Sequence, residues 1–167
     1  MSQTFAERWA AKERECGYDE AIFSKMTACG ESTLPRSAAP FVTFDYAERS
    51  PRVWEVFGCS ADWSDADRTR LASYRMIGTD GAGSPFCLDQ TTGAVWLLEH
   101  EDFFETRQFV NSGVPQLAEC LLTYMGERDV ERLRSAIGAI DPPAMAEESF
   151  WWYEAEDLEA NLEADRD

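Results

Sequence analysis

The sequence has one histidine in 167 residues, and this scarcity excludes much acid–base and metal chemistry. A zinc site built on several histidines, or a relay between two imidazoles, needs more than His100 can supply. The sequence also lacks a G-x-S-x-G nucleophile elbow, a G-x-x-x-x-G-K phosphate loop and a G-x-G-x-x-G dinucleotide motif. We therefore expect no catalytic residue, no bound metal and no cofactor, and we predict that the protein is not an enzyme.

Paired cysteines and long apolar runs are also missing. The five cysteines are odd in number and form no C-x-x-C pair, which predicts reduced thiols in a core rather than a metal or redox site. No run approaches the roughly 20 apolar residues that span a bilayer. The charged first residues do not resemble a secretory signal. These absences predict a cytoplasmic protein.

Positive charge is the third scarcity. Fifteen Lys and Arg residues face 32 Asp and Glu residues, for a formal net charge of -17. Such a field repels phosphate backbones and anionic lipid, so we expect neither nucleic acid nor membrane as a partner. It favours encounter with a basic protein, although acidity that serves solubility alone remains an alternative. The 44% apolar fraction predicts a folded chain. We expect this chain to be a monomer or a weak homo-oligomer.

The N-terminal part, residues 1–35, is predicted to be helical. Thr4 and Glu7 have the spacing of a capping box at the start of a first helix. Asp19 is expected to cap a second helix ending at Gly30, whose apolar face would contain Ile22, Phe23, Met26 and Cys29. Residues 31–40 are predicted to form a loop.

The middle of the chain changes to short runs rich in aromatic and β-branched residues, which predict strands. The six predicted strands are Phe41 to Phe44, Val53 to Phe57, Tyr74 to Ile77, Pro85 to Leu88, Ala94 to Leu98 and Arg107 to Val110. Short connections between the third and fifth strands predict an antiparallel meander. The charged residues 62–70 are expected to form a surface excursion between two strands.

Helical spacing returns after the last predicted strand. Ser112 is expected to cap one helix, a second should end before Asp141, and Ser149 should cap an acidic C-terminal helix over residues 149–167. The fold class predicted is therefore α+β: a mostly antiparallel six-stranded sheet with helices packed on one side and at both chain ends. We expect one domain over residues 1–167.

Three segments and one tryptophan have features of functional sites. The run from Glu99 to Asp102 concentrates possible ligands, but alternate residues of a strand point to opposite faces, so a solvated strand exit is the simpler interpretation. Residues 79–84 and 89–93 have the glycines of ligand loops, yet between strands they are better explained as turns. Trp63 lies in a charged segment, where an exposed tryptophan would be an interface anchor.

The stretch from Tyr74 to Asp89, followed by Thr92-Gly93-Ala94-Val95-Trp96, resembles the SUKH superfamily: a strand, a Gly-Asx-Gly turn, a strand ending in Asp, a Thr-Gly hairpin and another strand. The similarity continues into Asn111-Ser112 and is strongest over residues 40–125. Pro40 to Phe44 and Phe150-Trp151-Trp152 resemble the fourth SUKH subgroup. The motif residues that the resemblance marks as fold-determining are Gly78, Asp80, Gly81, Asp89, Gly93, Asn111 and Ser112.

The resemblance implies an α+β fold and a non-catalytic role, in which the protein binds a secreted polymorphic toxin and protects the producing cell. We expect the cognate toxin to be a basic nuclease or deaminase domain whose active site is occluded. The residues expected to bind it are Asp62, Trp63, Asp65, Asp67, Glu99, Glu101 and Asp102. Two alternatives remain: a regulatory or scaffold module with an endogenous partner, and a carboxylate-based hydrolase or metal-dependent enzyme.

Overall fold

A computed structural model describes residues 2–38, 42–58 and 60–165 of the chain. The N-terminal elements are helix α1 (Phe5–Glu15), a 3-10 turn (Glu20–Ile22) and four short strands, β1 (Met26–Cys29), β2 (Ser32–Pro35), β3 (Ser37–Ala38) and β4 (Val42–Thr43). Helix α2 (Val53–Val56), a 3-10 turn (Ser60–Asp62) and helix α3 (Asp65–Arg70) follow. Strands β5 (Tyr74–Asp80), β6 (Pro85–Asp89), β7 (Val95–Leu98) and β8 (Arg107–Asn111) come next. The chain continues with α4 (Val114–Tyr124), α5 (Val130–Ile140), a 3-10 turn (Pro142–Met145) and α6 (Phe150–Ala164).

The strands form two antiparallel sheets, so the prediction that a single six-stranded sheet contains all the strands is wrong. Strands β1 and β2 form a separate hairpin. The larger sheet has the order β3-β4-β5-β6-β7-β8, in which β5 to β8 form the predicted meander and the two-residue β3 and β4 extend one edge. The α+β class and the antiparallel pairing are confirmed.

The predicted second helix is wrong, and the predicted loop over residues 31–40 is wrong in its described part, residues 31–38, which contains β2 and β3. Asp19 caps only a single 3-10 turn, after which the Ser24 backbone N–H donates to the Glu13 carboxylate at 2.9 Å and turns the chain away from helix. The hairpin then reverses at Gly30, which has a φ of +60°. The 3.6-residue spacing of the apolar side chains was therefore accidental.

The segment Val53 to Phe57 is a short helix rather than the predicted strand. The Glu55 side chain accepts the Arg52 backbone N–H at 2.7 Å, and this local bond satisfies a donor at the start of α2. Apart from buried Trp63, the residues 62–70 lie at or near the surface as expected, but they contain α3, which Ser64 caps by accepting the Asp67 N–H. Phe41 of the first predicted strand lies outside the described residues.

Side chains cover both faces of the larger sheet, so the prediction that helices pack on one side is wrong. A large cluster joins one face to α1, the β1–β2 hairpin, α4, α5 and α6. A smaller cluster covers the other face with the segment from α2 to α3 and the β7–β8 loop, and its buried members are Val53, Trp63, Leu71, Tyr74, Met76, Cys87, Leu98 and Phe104. The smaller cluster supports the β7–β8 loop and the surface around it.

Gly78 allows β4 to lie against β5. The register of β5 with β6 shifts between Met76 and Gly78, and a Cβ on Gly78 would lie 1.9 Å from the Thr43 carbonyl oxygen. No side chain fits that space, so the residue that the family resemblance marks as structural is required by a close backbone approach.

The prediction of reduced core thiols is confirmed for three of the four described cysteines and is wrong for Cys16, which is exposed. Cys29, Cys87 and Cys120 are buried and free, whereas Cys16 is free and exposed. Burial raises the pKa of the Cys29 thiol to about 11. Cys59 lies outside the described residues. Within the described part of the chain, none of the helices has the length and apolar character needed to cross a membrane.

Candidate functional site

The β7–β8 loop, residues 99–106, is held in an unusual backbone conformation. Phe103 and Phe104 have φ angles of 60° and 64°, a left-handed region that costs a bulky residue roughly 1–3 kcal/mol. The Arg70 guanidinium donates to both carbonyl oxygens, at 3.1 Å to Phe103 and 2.7 Å to Phe104. Helix α3 therefore clamps the loop through one arginine.

Trp63 is buried beneath this loop, so the expectation that it is exposed is wrong. Only 6% of its surface is accessible, and its indole N–H donates to the Phe57 carbonyl at 2.7 Å. Its ring lies 4.6 Å from the Phe103 ring and 5.7 Å from the Phe104 ring, centroid to centroid. Phe103, 40% exposed, is the aromatic side chain that reaches solvent here.

Two of the predicted acidic residues shape this surface as well as charging it. Asp102 accepts the backbone N–H groups of Glu105 at 3.1 Å and Thr106 at 3.0 Å, and the hydrogen bonding from Thr106 holds its pKa below the ordinary value. Asp67 caps α3, and the Ser64 hydroxyl lowers its pKa in the same way. Both carboxylates are therefore ionised at neutral pH.

The other predicted partner-binding residues are less closely connected. Glu101 and Asp62 are exposed. Asp65 is exposed on α3 and lines an open groove of about 390 Å³ with Arg52 and Trp54. Glu99 accepts from the Ser84 hydroxyl at 3.1 Å. We use the name loop surface for residues 99–106 together with Trp63, Asp67 and Arg70.

Ser84, His100 and Glu99 form the one grouping that superficially resembles a hydrolase site among the described residues. The Ser84 hydroxyl lies 2.9 Å from His100 Nδ1, but Glu99 approaches the same nitrogen at 3.4 Å rather than orienting the opposite one. Ser84 is also buried. The group joins the two ends of the β6–β7 hairpin. In the described residues, His, Cys, Asp and Glu side chains form no group of three or more that could hold a metal ion.

The turn residues of the family motif have the local roles that the sequence predicts. Asp80 accepts the backbone N–H groups of Ala82 and Ser84 at 2.9 and 2.8 Å, around a turn in which Gly81 is exposed. Asp89 accepts the Thr91 N–H at 2.9 Å. Gly93 has a φ of 79°, as a hairpin of this kind requires.

Asn111 and Ser112 belong to a buried polar network that the sequence did not predict. Asp141 accepts from the Asn111 amide at 3.0 Å, the Ser112 N–H at 2.7 Å and the Ser112 hydroxyl at 2.7 Å. The Trp151 indole N–H donates to the side-chain amide oxygen of Asn111 (Oδ1) at 2.9 Å. Ser112 is therefore not the cap of α4, whose N-cap is Gly113. The network ties β8 to the end of α5 and to α6.

A second acidic region lies on α5 and α6. Arg134 pairs with Glu131, Glu156 and Glu159. Tyr124 donates to Glu154 at 2.9 Å, and burial raises the pKa of that carboxyl. Its exposed aromatic residue is Tyr153, which is 44% accessible on a regular helix. Unlike the loop surface, this region has no residue with a left-handed backbone along α6.

Three residues important to these sites were missed from sequence. Phe103 could have been noticed as part of an aromatic pair inside the acidic run 99–105. Arg70 and Asp141 bind residues far from them in the chain: Arg70 donates to Phe103, 33 positions away, and Asp141 accepts from Asn111, 30 positions away. No local pattern marks either one.

Comparison with protein families identifies the chain. Residues 27–159 match the family described as SUKH-4 immunity protein. No curated protein and no solved structure matches the chain. The match covers the meander with its Asp80 and Asp89 turns, the Asn111 network and most of α6. The chain therefore belongs to the SUKH-4 immunity protein family.

Proposed function

We propose that this protein binds a cognate toxin domain of basic surface, of the nuclease or deaminase class, and neutralises it by covering the active site. Membership of an immunity protein family is the observation that carries the proposal, because it gives toxin immunity as the general role. The net charge of -17 supports a basic partner, since complementary potentials raise association rates and disfavour wrong partners.

The loop surface supports a binding role better than a catalytic one. It presents ionised carboxylates at Asp67 and Asp102 around an exposed ring at Phe103. An enzyme that acts on nucleic acid needs cationic groups to bind phosphate, and carboxylates fixed on a rigid surface can occupy the same groups. In this mechanism Asp62, Asp65, Glu99 and Glu101 extend the negative field, and no reaction takes place.

The direct test uses purified basic toxin domains encoded in the same genome, first those encoded beside this gene. We expect one domain to be bound by the immobilised protein, and co-expression to restore growth of cells that produce that domain. Because exposed charges contribute, raising salt from 50 to 500 mM should weaken binding without abolishing it. Inhibition of the toxin's activity in vitro should saturate at one equivalent.

Two outcomes would contradict the proposal. Capture of no toxin domain, together with capture of a housekeeping protein, would favour a regulatory module with an endogenous partner. Binding of a toxin domain that remains fully active in the complex would reject occlusion of the active site. A charge-reversed variant, Glu101→Lys with Asp62→Lys, tests the electrostatic contribution, since both positions are exposed within the surface proposed to bind the toxin, and it should bind the toxin domain more weakly than wild type does.

A further inference from the structure

We propose that Phe103 is the anchor of the toxin interface, and that it enters an apolar pocket rimmed by basic groups on the partner. The inference rests on the proposed function and specifies which part of the molecule performs it. Phe103 was not among the residues selected from sequence. Four features of Phe103 indicate this role: its exposure, the buried rings that it packs against, its backbone conformation and the charges around it.

The Phe103 ring is partly exposed on a rigid base. The ring lies 4.6 Å from Trp63 and 6.0 Å from Phe104, and both of those residues are buried. Phe104 in turn meets the Phe57 ring at 5.0 Å. An aromatic side chain held in this way loses little conformational entropy on binding, which is the property that distinguishes anchor residues in interfaces.

The backbone of the loop is strained in a way that stability alone does not explain. Two consecutive phenylalanines occupy the left-handed region, where glycine or asparagine would fit without the steric penalty. The Phe103 and Phe104 rings both pack against Trp63, at 4.6 and 5.7 Å between ring centroids, and Phe104 is buried there. The second ring, that of Phe103, remains 40% accessible, held in place by Arg70 at a cost in backbone energy.

The surroundings of Phe103 determine the chemistry of the partner. Exposed Glu101, Asp102 and Glu105 lie on the same loop, and Asp67 is joined to it through Arg70 at 3.3 Å. Their negative charge excludes an acidic partner and selects a pocket with lysine or arginine at its rim. The resulting arrangement, an apolar centre with a polar rim, is that of a protein interface.

Among the described residues, three other large apolar side chains are exposed: Tyr18, Ile22 and Tyr153. None of these residues has a left-handed backbone. Tyr153 lies on α6, Ile22 in the 3-10 turn after α1, and Tyr18 in the connection that precedes this turn. They provide matched controls, because each can be truncated at a comparable or greater exposure without touching the loop.

The test replaces Phe103 with asparagine, which removes the ring and tolerates a left-handed backbone, so that the loop conformation is retained. Binding of the captured toxin domain is measured by calorimetry for wild type, Phe103→Asn, Tyr153→Asn and Ile22→Asn. We expect Phe103→Asn to raise Kd by about 30-fold or more, as the loss of an anchor does, and the two controls to change Kd by less than about threefold.

A stability measurement separates loss of the anchor from loss of the fold. Circular dichroism and thermal unfolding of Phe103→Asn should show a folded protein at the temperature of the binding assay, and Phe103→Leu should recover part of the affinity. If wild type binds the toxin domain and folded Phe103→Asn binds it equally well, the anchor is wrong while the proposed function stands. If Tyr153→Asn is the variant that loses binding, the interface lies on α6. If wild type binds no toxin domain, both proposals fail.

Discussion

Replacing Asp141 with alanine should remove more stability than replacing an exposed carboxylate, such as Asp157, with alanine. Asp141 is 3% exposed and accepts three hydrogen bonds, from the Asn111 amide and from the backbone and hydroxyl of Ser112. Asn111 is fully buried, so water cannot replace its lost partner, and an unsatisfied buried donor costs about 1–3 kcal/mol. Ser112 is exposed, so each of its two bonds should contribute only about 1 kcal/mol after rehydration.

The sum predicts a loss of roughly 3–5 kcal/mol from a folding free energy that is typically about 5–15 kcal/mol. Urea unfolding followed by tryptophan fluorescence is the assay, because Trp151 donates to Asn111 within the same network. With a slope of about 2 kcal/mol per molar, the midpoint should fall by about 2 M. Ser112→Ala should lose about 1 kcal/mol.

Asp157→Ala is the control, since that carboxylate is exposed on α6 and its loss should change stability by less than about 0.5 kcal/mol. Asp141→Asn should lie between the two extremes, because an amide keeps one acceptor oxygen but places a donor against other donors. A loss below about 1 kcal/mol for Asp141→Ala, with an unchanged urea slope, would refute the assignment of this network as a main link between the sheet and the helices.

Three further substitutions or reagents test the fold. Gly78→Ala should cost several kcal/mol or prevent folding, because the new Cβ would meet a backbone carbonyl at 1.9 Å, whereas Gly138→Ala on α5 should stabilise the protein by about 0.5–1 kcal/mol, and thermal unfolding compares the two. Glu154→Gln should stabilise the protein at pH 7: burial raises the pKa of this carboxyl, so wild type gains stability as pH falls through the raised pKa, and the stabilities of the two proteins should converge in acid. A thiol reagent at pH 8 should modify Cys16 rapidly and the buried Cys29, Cys87 and Cys120 only at the rate of unfolding, since burial raises the pKa of each of these three thiols; fast labelling of these three would contradict the described core.

Sequence reasoning succeeded where the signal is local. The capping box at Thr4 and Glu7, the Asp80 turn and the Asp89 hairpin each involve residues within a few positions of one another, and all are present. The meander followed from strands with short connections. The C-terminal helix followed from Ser149 and an apolar stripe.

The errors arose where distant contacts override local preference. Met26 to Cys29 has helical spacing, but pairing with Ser32 to Pro35 makes it a strand. Val53 to Val56 is an exception with a local cause: the segment has the composition of a strand, but Glu55 accepts the Arg52 backbone N–H three positions away and starts a helix. The site was only half predictable because of distant contacts: composition identified the acidic residues, whereas the burial of Trp63 and the exposure of Phe103 depend on a backbone conformation held by Arg70.

The position of α1 has a consequence for how the family domain should be delimited. Trp9 is 1% exposed within the large cluster, and Arg8 pairs with Glu119 on α4, yet both precede the matched residues 27–159. Leu162, which packs against the same cluster, follows them. An expression fragment cut at residues 27 and 159 would lack Trp9, and the apolar core surface that its indole covers would be exposed to water. The fragment to express or crystallise therefore begins before Thr4, the N-cap of α1, and continues through the end of α6.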